Sequence, residues 1–396
     1  MKPVSYFYVT MKKVPNNRNH KKNNVEAVFQ NLNRDYIKMN KREKKENTDI
    51  LFSVLNKIID IIQKNDKLFN SLKPKLDFLG SYFDGLRVGQ PTEYDINIVL
   101  TFPVNYGKIK LDCIKSLHDY TAIVMPSEFR RLSKVPDAEQ NGFSKTQLWC
   151  DKEYRLSVSK FRAWMQSAVD RALNTLPLKE GKRILHVNKH SYRLYTKLSG
   201  PATTITILKE DNTLIDVDLV PTFEFKLPTK PLHSKVCFTK VESTKIYKYF
   251  VVPKPSNDDY SWRLTFPSQE RYYLNKKNNL KAALRLIKHF RDIQGFTKLC
   301  SYYIKTLFLW ECLANGDSYW KNNSLSYITL NMLRKLKTCL ANKKISNFWC
   351  PEHNIIEKIK PATCEHWCNR LTYILNDIEC KQHKCPSIIL QYFSRH

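Results

Sequence analysis

From about Thr48 the apolar residues Leu51, Val54, Leu55, Ile58, Ile59 and Ile62 return every three or four positions, the period of one helix face. The spacing predicts a long amphipathic helix, with Thr48 or Asp49 as its cap. The pattern then changes. INIVLTF (96–102), ATTITIL (202–208) and LIDVDLVPTFEF (214–225) are rich in β-branched and aromatic residues and predict strands. VVPKPSNDDYSW (251–262), with Pro253 and Pro255 and a polar centre, interrupts the periodicity and reads as the crossing between two lobes. Beyond it helical spacing returns at 280–293, 297–313, 324–342 and near 362–379. The expected class is α+β: a mixed sheet flanked by helices, then a helical lobe. The expected division is a basic arm at 1–24, a core with the long helix at 25–255 and the helical lobe at 256–396.

The period of two within EYDINIVL carries the candidate chemistry. Alternate side chains of a strand share a face, so Glu93 and Asp95 project together while Tyr94, Ile96 and Ile98 point the other way. A third carboxylate from a neighbouring strand would complete an oxygen site for Mg²⁺ or Mn²⁺, and Asp218 in IDVDL is the expected partner. Asp216, on the same face, is expected behind it or exposed. Upstream, Gly80 permits a tight turn that points backbone N–H groups and the Ser81 hydroxyl at a phosphate. There is no G-x-x-x-x-G-K-[ST] sequence, and nine glycines in the chain leave no Gly-rich phosphate loop. The chemistry these residues suit is two-metal phosphoryl transfer from a nucleoside triphosphate. The plainer alternative for any one such cluster is a solvated strand face.

Charge adds a partner. A formal net charge of +29, spread along the chain, calls for a polyanion, because Lys and Arg that neutralise phosphates release counterions. Lys12, Lys13, Lys21 and Lys22 lie in the arm, and Lys41, Arg42, Lys44 and Lys45 stand just ahead of the long helix, where they can extend it along a phosphate backbone or remain a solvated face. No apolar run reaches the roughly eighteen residues of a membrane span, and the first residues lack the apolar block of a secretory signal. The expectation is a cytoplasmic protein, with a nuclear location left open. Eleven irregularly spaced cysteines then read as thiols. Cys350, His353, Cys364, His366, Cys368, Cys380, His383 and Cys385 crowd near the end and could form a structural zinc site, but buried thiols and surface histidines are the default.

With these residues in order, the chain resembles the cyclic GMP-AMP synthase-like receptors of the Mab-21 group of nucleotidyltransferases. The resemblance lies in LGSYFDGLRVGQPTEYDINIVL (79–100), IDVDLVPTFEF (215–225), VVPKPSNDDYSWRLTF (251–266) and KLCSYYIKTLFLWEC (298–312). It implies a bilobal polymerase-β-like core with a helical C-terminal lobe, making cyclic GMP-AMP from ATP and GTP when a nucleic acid binds the basic face. By motif, Arg263 should contact a purine edge, Tyr302 should stack on a base, and Ser301 and Lys288 should contact base or phosphate. The vertebrate DNA sensor of this family carries a His/Cys zinc insertion after its W-R motif. Here the interval PSQERYYLNKKNNLKAAL has neither residue, which favours double-stranded RNA, read by shape, phosphate and 2′-hydroxyl. The resemblance further implies innate antiviral signalling through a STING-like receptor, with the 3′,2′ isomer as the expected product. A linear oligonucleotide synthase and an inactive nucleic-acid-binding scaffold are the alternatives.

Overall fold

The structure is a computed structural model and describes residues 24–37, 41–90, 92–114, 117–125 and 127–394. The arm lysines Lys12, Lys13, Lys21 and Lys22 lie outside the described residues. The long helix runs Lys41–Asn65, so the basic stretch is its first turns, and Thr48 sits inside it, donating to the Lys44 carbonyl at 2.6 Å. Its apolar stripe, Leu51, Val54, Leu55, Ile58 and Ile62, is buried, packed in part on the helix Val158–Asn174. At about 25 cal/mol per Å² of apolar area, burial of that stripe is what holds a helix whose opening turns are all polar.

The described residues form one sheet of eleven strands: β1 (Lys75–Leu79), β2 (Glu93–Leu100), β3 (Lys110–Cys113), β4 (Tyr120–Val124), β5 (Leu178–Lys179), β6 (Lys182–Val187), β7 (His190–Ser199), β8 (Ala202–Leu208), β9 (Leu214–Lys226), β10 (Lys248–Val252) and β11 (Trp262–Thr265). Its main path is β3-β4-β11-β10-β9-β8-β7-β6-β5, with β2 set against β9 and β1 against β2. The β2/β9 ladder is parallel and the other ladders are antiparallel, so the sheet is mixed. The thirteen residues of β9 serve β8 at 214–219 and β10 at 223–226. Pro221 falls between those two ladders, where its missing N–H costs no sheet hydrogen bond.

The proline-containing stretch read as the crossing between lobes instead joins β10 to β11, which pair with each other. The sheet therefore continues to Thr265, and the helices begin at Pro267–Leu274, where the proline stands at a first-turn position that needs no N–H donor. Leu280–Ile293, Ser301–Ala314, Leu325–Ala341 and Pro361–Lys381 follow, close to the expected spans, and with the unexpected Ile388–Phe393 build the helical lobe. A single large buried cluster runs through sheet and helices alike, from Phe29 and Leu51 to Phe393.

Candidate active site

The parallel ladder sets the carboxylates in rungs. Glu93 is paired with Asp216, and Asp95 with Asp218, so four acidic side chains emerge on one face in two alternate rungs, with the Tyr94/Val217 rung between them facing the other way. Tyr94, Ile96 and Ile98 between them are buried on the other face. On the far side of β9 the β8 hairpin brings Thr204 opposite Asp218 and Thr206 opposite Asp216. Each threonine hydroxyl donates to its aspartate, at 2.5 Å and 2.6 Å. Asp216 also accepts from Lys197 Nζ at 2.9 Å, and Glu93 accepts from Arg87 Nη1 at 2.5 Å. Among the described residues, neither Asp95 nor Asp218 makes an ion pair of its own, and Arg87 and Lys197 act on them only from a longer distance.

Asp95 and Asp218 both hold a proton more tightly than an ordinary carboxyl. Burial first, then the charges of Asp218 and Glu93, push the Asp95 carboxyl up to about 6. Asp95 is exposed on the strand face and lines the cleft, but the backbone of Gly80 lies directly against its Oδ2. Asp218 is also raised, chiefly by burial and then by Asp216 and Glu93, with the Thr204 hydroxyl opposing. Like charges held this close are relieved by a divalent cation, and an all-oxygen donor set suits Mg²⁺ or Mn²⁺. The donor types fit such an ion, but the cage is not preformed. Among the described residues no three His, Cys, Asp or Glu side chains converge closely enough to hold a metal, and Glu93 is turned toward Arg87.

The turn after β1 closes one wall. Leu79 is registered against Asp95, and Gly80 follows with φ +78°. A Cβ at Gly80 would fall 1.7 Å from Asp95 Oδ2, so the position excludes every side chain on both space and backbone conformation. Ser81 then lines a cavity of about 290 Å³ with Arg87, Glu93, Asp95, Lys197, Thr204 and Asp218. Asp95 also lines a second cavity, of about 760 Å³, which places the two side by side. Arg263 and Tyr302 stand in this larger space with Asp119, Lys254 and Trp349. Arg263 Nε meets Asp119 Oδ2 at 3.2 Å, and its guanidinium lies 6.0 Å from the centre of the Tyr302 ring.

Two expected contacts lie elsewhere. Ser301 is outside the lining of either cavity, and its hydroxyl accepts from Arg291 Nη1 at 3.0 Å. Lys288 is buried, donates to the Leu86 carbonyl at 2.8 Å, and has its ammonium pushed down to about 8 by burial and then by neighbouring Arg291 and Arg87. Arg42, Lys44 and Lys45 are exposed on the long helix, whose first residue is Lys41. Arg87, Lys197, Thr204, Asp119 and Lys254 were not singled out from the sequence. Thr204 was within reach: counting back from a three-residue loop Glu210-Asp211-Asn212 across the hairpin gives its pairing with Asp218. Near the C-terminal end, Cys350 and Cys364 are buried, and Cys368 Sγ donates to the Lys337 carbonyl at 3.7 Å.

Residues 82–276 match the Mab-21 protein nucleotidyltransferase domain, and residues 279–373 match the Mab-21 protein HhH/H2TH-like domain. The class is thus a nucleotidyltransferase, and enzymes of this family generally use divalent metals and nucleotide substrates. The chain is 32% identical to the cyclic GMP-AMP synthase-like receptor of Aethina tumida over 94% of its own length and 92% of that protein's. The receptor of the same name from Tribolium castaneum is 30% identical (90% and 89%), and that from Nicrophorus vespilloides 28% (93% and 97%). The chain belongs to the cyclic GMP-AMP synthase-like receptors. No described helix is long and apolar enough to cross a membrane.

Proposed function

We propose that this protein is a cytoplasmic sensor that, on binding double-stranded RNA, joins ATP and GTP into cyclic GMP-AMP, in the 3′,2′ isomer, for a STING-like receptor in innate antiviral signalling. The observation that carries the catalytic half is the register that sets Glu93 and Asp95 beside Asp216 and Asp218, with Asp95 and Asp218 outside the ion pairs that Arg87 makes with Glu93 and Lys197 with Asp216. Glu93, Asp95 and Asp218 are assigned as the residues that hold two Mg²⁺ or Mn²⁺ ions. When bound, such ions supply charge neutralisation for a triphosphate and a lowered pKa for an attacking hydroxyl.

The remaining work falls to side chains of the chain itself. Ser81 donates to a phosphate oxygen from a turn that Gly80 alone permits. Thr204 donates to one Asp218 oxygen, which fixes the carboxylate at the wall of the smaller cavity. Arg263, oriented by Asp119, offers its remaining donors to a purine edge, and Tyr302 offers a stacking face. Arg87 and Lys197 line the smaller cavity and offer positive charge to phosphate.

The RNA half rests on charge and on one linkage. Arg42, Lys44 and Lys45 are exposed, and the Lys44 carbonyl accepts from the hydroxyl of Tyr82, the neighbour of Ser81, at 3.4 Å. Tyr82 also bonds Thr48 one turn along. A duplex drawn to these turns of helix is therefore one hydrogen bond from the phosphate-facing turn, and the population shift it favours is an ordered Ser81.

The test incubates the protein with labelled ATP and GTP and Mg²⁺ or Mn²⁺, with no nucleic acid, duplex RNA or duplex DNA, and resolves phosphatase-resistant products against linkage standards. A cyclic product that requires RNA supports the reading. Linear oligonucleotides, DNA dependence, or duplex binding without any product would each overturn the corresponding part.

A further inference from the structure

The segment that follows Ser81 is held from the helical lobe by four cations. The turn closes on itself through Asp84 N–H to the Gly80 carbonyl at 3.0 Å and Leu86 N–H to the Ser81 carbonyl at 2.7 Å. Arg285 Nη1 then donates to the Gly85 carbonyl at 2.7 Å and Lys288 to that of Leu86 at 2.8 Å. Arg271 spans the turn, with Nη2 on the Phe78 carbonyl at 3.0 Å and Nε on Asp84 Oδ1 at 2.9 Å. Lys305 completes the set, with Nζ 3.2 Å from Asp84 Oδ2 and 2.7 Å from Glu270 Oε2.

Glu270 faces the other way as well. Its Oε1 accepts from the Tyr302 hydroxyl at 3.3 Å and from Trp349 Nε1 at 3.0 Å. Tyr302 lies one helical turn before Lys305 on Ser301–Ala314. An unbroken polar chain therefore runs from the Ser81 turn through Asp84, Lys305 and Glu270 to the ring expected to carry a base. Asp84 and Glu270 are 6% and 7% exposed, and two cations balance two carboxylates. Buried ions matched in this way have few alternative arrangements, because breaking one pair strands a charge in protein. Lys305 lines neither cavity, so it can act on a nucleotide only through its two carboxylates.

We propose that Lys305 is a positioning residue for nucleotidyl transfer: its ammonium, shared between Asp84 and Glu270, fixes the spacing between the Tyr302 platform and the Ser81 turn. A nucleotide seated by its base is thereby aligned at its phosphates. The inference rests on reading the cleft as the nucleotide site, and its test separates the two.

Affinity for a non-hydrolysable GTP analogue with Mg²⁺ is measured by calorimetry for Ser81→Ala, Tyr302→Ala and the double variant, each with Lys305, Lys305→Met and Lys305→Arg. With Lys305 the double variant departs from the product of the single effects by about three-fold or more. With Lys305→Met the effects multiply to within about two-fold, and Lys305→Arg restores the coupling. In turnover, Lys305→Met lowers kcat more than it raises KM. If Lys305→Met does not fold, Glu270→Gln keeps an acceptor for Tyr302 and removes the ion pair, with the same expected loss of coupling. Coupling that survives in a folded Lys305→Met or Glu270→Gln protein overturns the inference. An analogue that does not bind the unaltered protein overturns the nucleotide reading itself.

Discussion

The two ends of the cleft treat charge in opposite ways. At the strand end, Asp95 and Asp218 share a rung with no ion pair of their own among the described residues, and both are raised above the ordinary carboxylate value. At the helical end, Asp84 and Glu270 are more deeply buried, yet each touches a lysine, and Asp84 an arginine as well. The first arrangement is destabilising as it stands and invites an ion from outside. The second is complete without one. A carboxylate cluster thus marks chemistry when its charge is unmatched and architecture when its charge is matched, although the residue types are the same.

Removing a charge from each end gives the widest separation. Asp95→Asn should lower nucleotidyl transfer by at least about 100-fold, as loss of a group acting on the transition state does, in initial-rate assays with saturating nucleotide. The same change removes like-charge repulsion, so the melting temperature without metal should hold or rise at pH 7. Lys305→Met should do the reverse to the fold. It strands the buried Glu270 and leaves Asp84 with Arg271 alone, and should cost about 3–5 kcal/mol in denaturant unfolding, a loss that Arg at the same position largely avoids.

A smaller effect separates the ends by pH. The folded-state value of Asp95, about 6, lies above the ordinary carboxylate value, so the folded chain holds that proton more tightly than the unfolded chain. Without metal its contribution to stability is therefore lost as pH rises through the window ending near 6. Bound divalent ions compete with that proton. The gain in melting temperature on adding Mg²⁺ or Mn²⁺ should be larger at pH 7.5 than at pH 5.5, and Asp95→Asn should flatten the difference. The smallest expected change is Thr204→Val, which takes one hydroxyl from Asp218. It should slow transfer by about five-fold, near 1 kcal/mol, with little change in melting temperature.

What the sequence displayed and what it hid follow from locality. Alternation in EYDINIVL placed Glu93 and Asp95 on one face because the period of a strand is local, and the buried Tyr94, Ile96 and Ile98 agree with it. Asp218 was expected from a neighbouring strand, but the parallel register that sets it directly beside Asp95 was not legible, since a pairing across so much chain is set by the whole sheet. Lys288 shows the limit most clearly. Helical spacing gives Lys281, Arg285 and Lys288 one face, but nothing local says that the face meets carbonyls of Gly85 and Leu86 instead of solvent or a phosphate. The start of the long helix was placed late for a related reason. Its polar first turns carry no apolar period, so only backbone hydrogen bonding extends it back to Lys41.

The central claim, that the unmatched carboxylates of β2 and β9 exist to hold divalent metal with a nucleotide, is met most directly by counting bound Mn²⁺. Electron paramagnetic resonance of free Mn²⁺, titrated against the protein with a non-hydrolysable GTP analogue, would be run beside Asp95→Asn/Asp218→Asn. The account predicts that the unaltered chain removes up to two Mn²⁺ from solution when nucleotide is present, and that the double variant removes no more than nucleotide alone. Equal uptake by both proteins would contradict it.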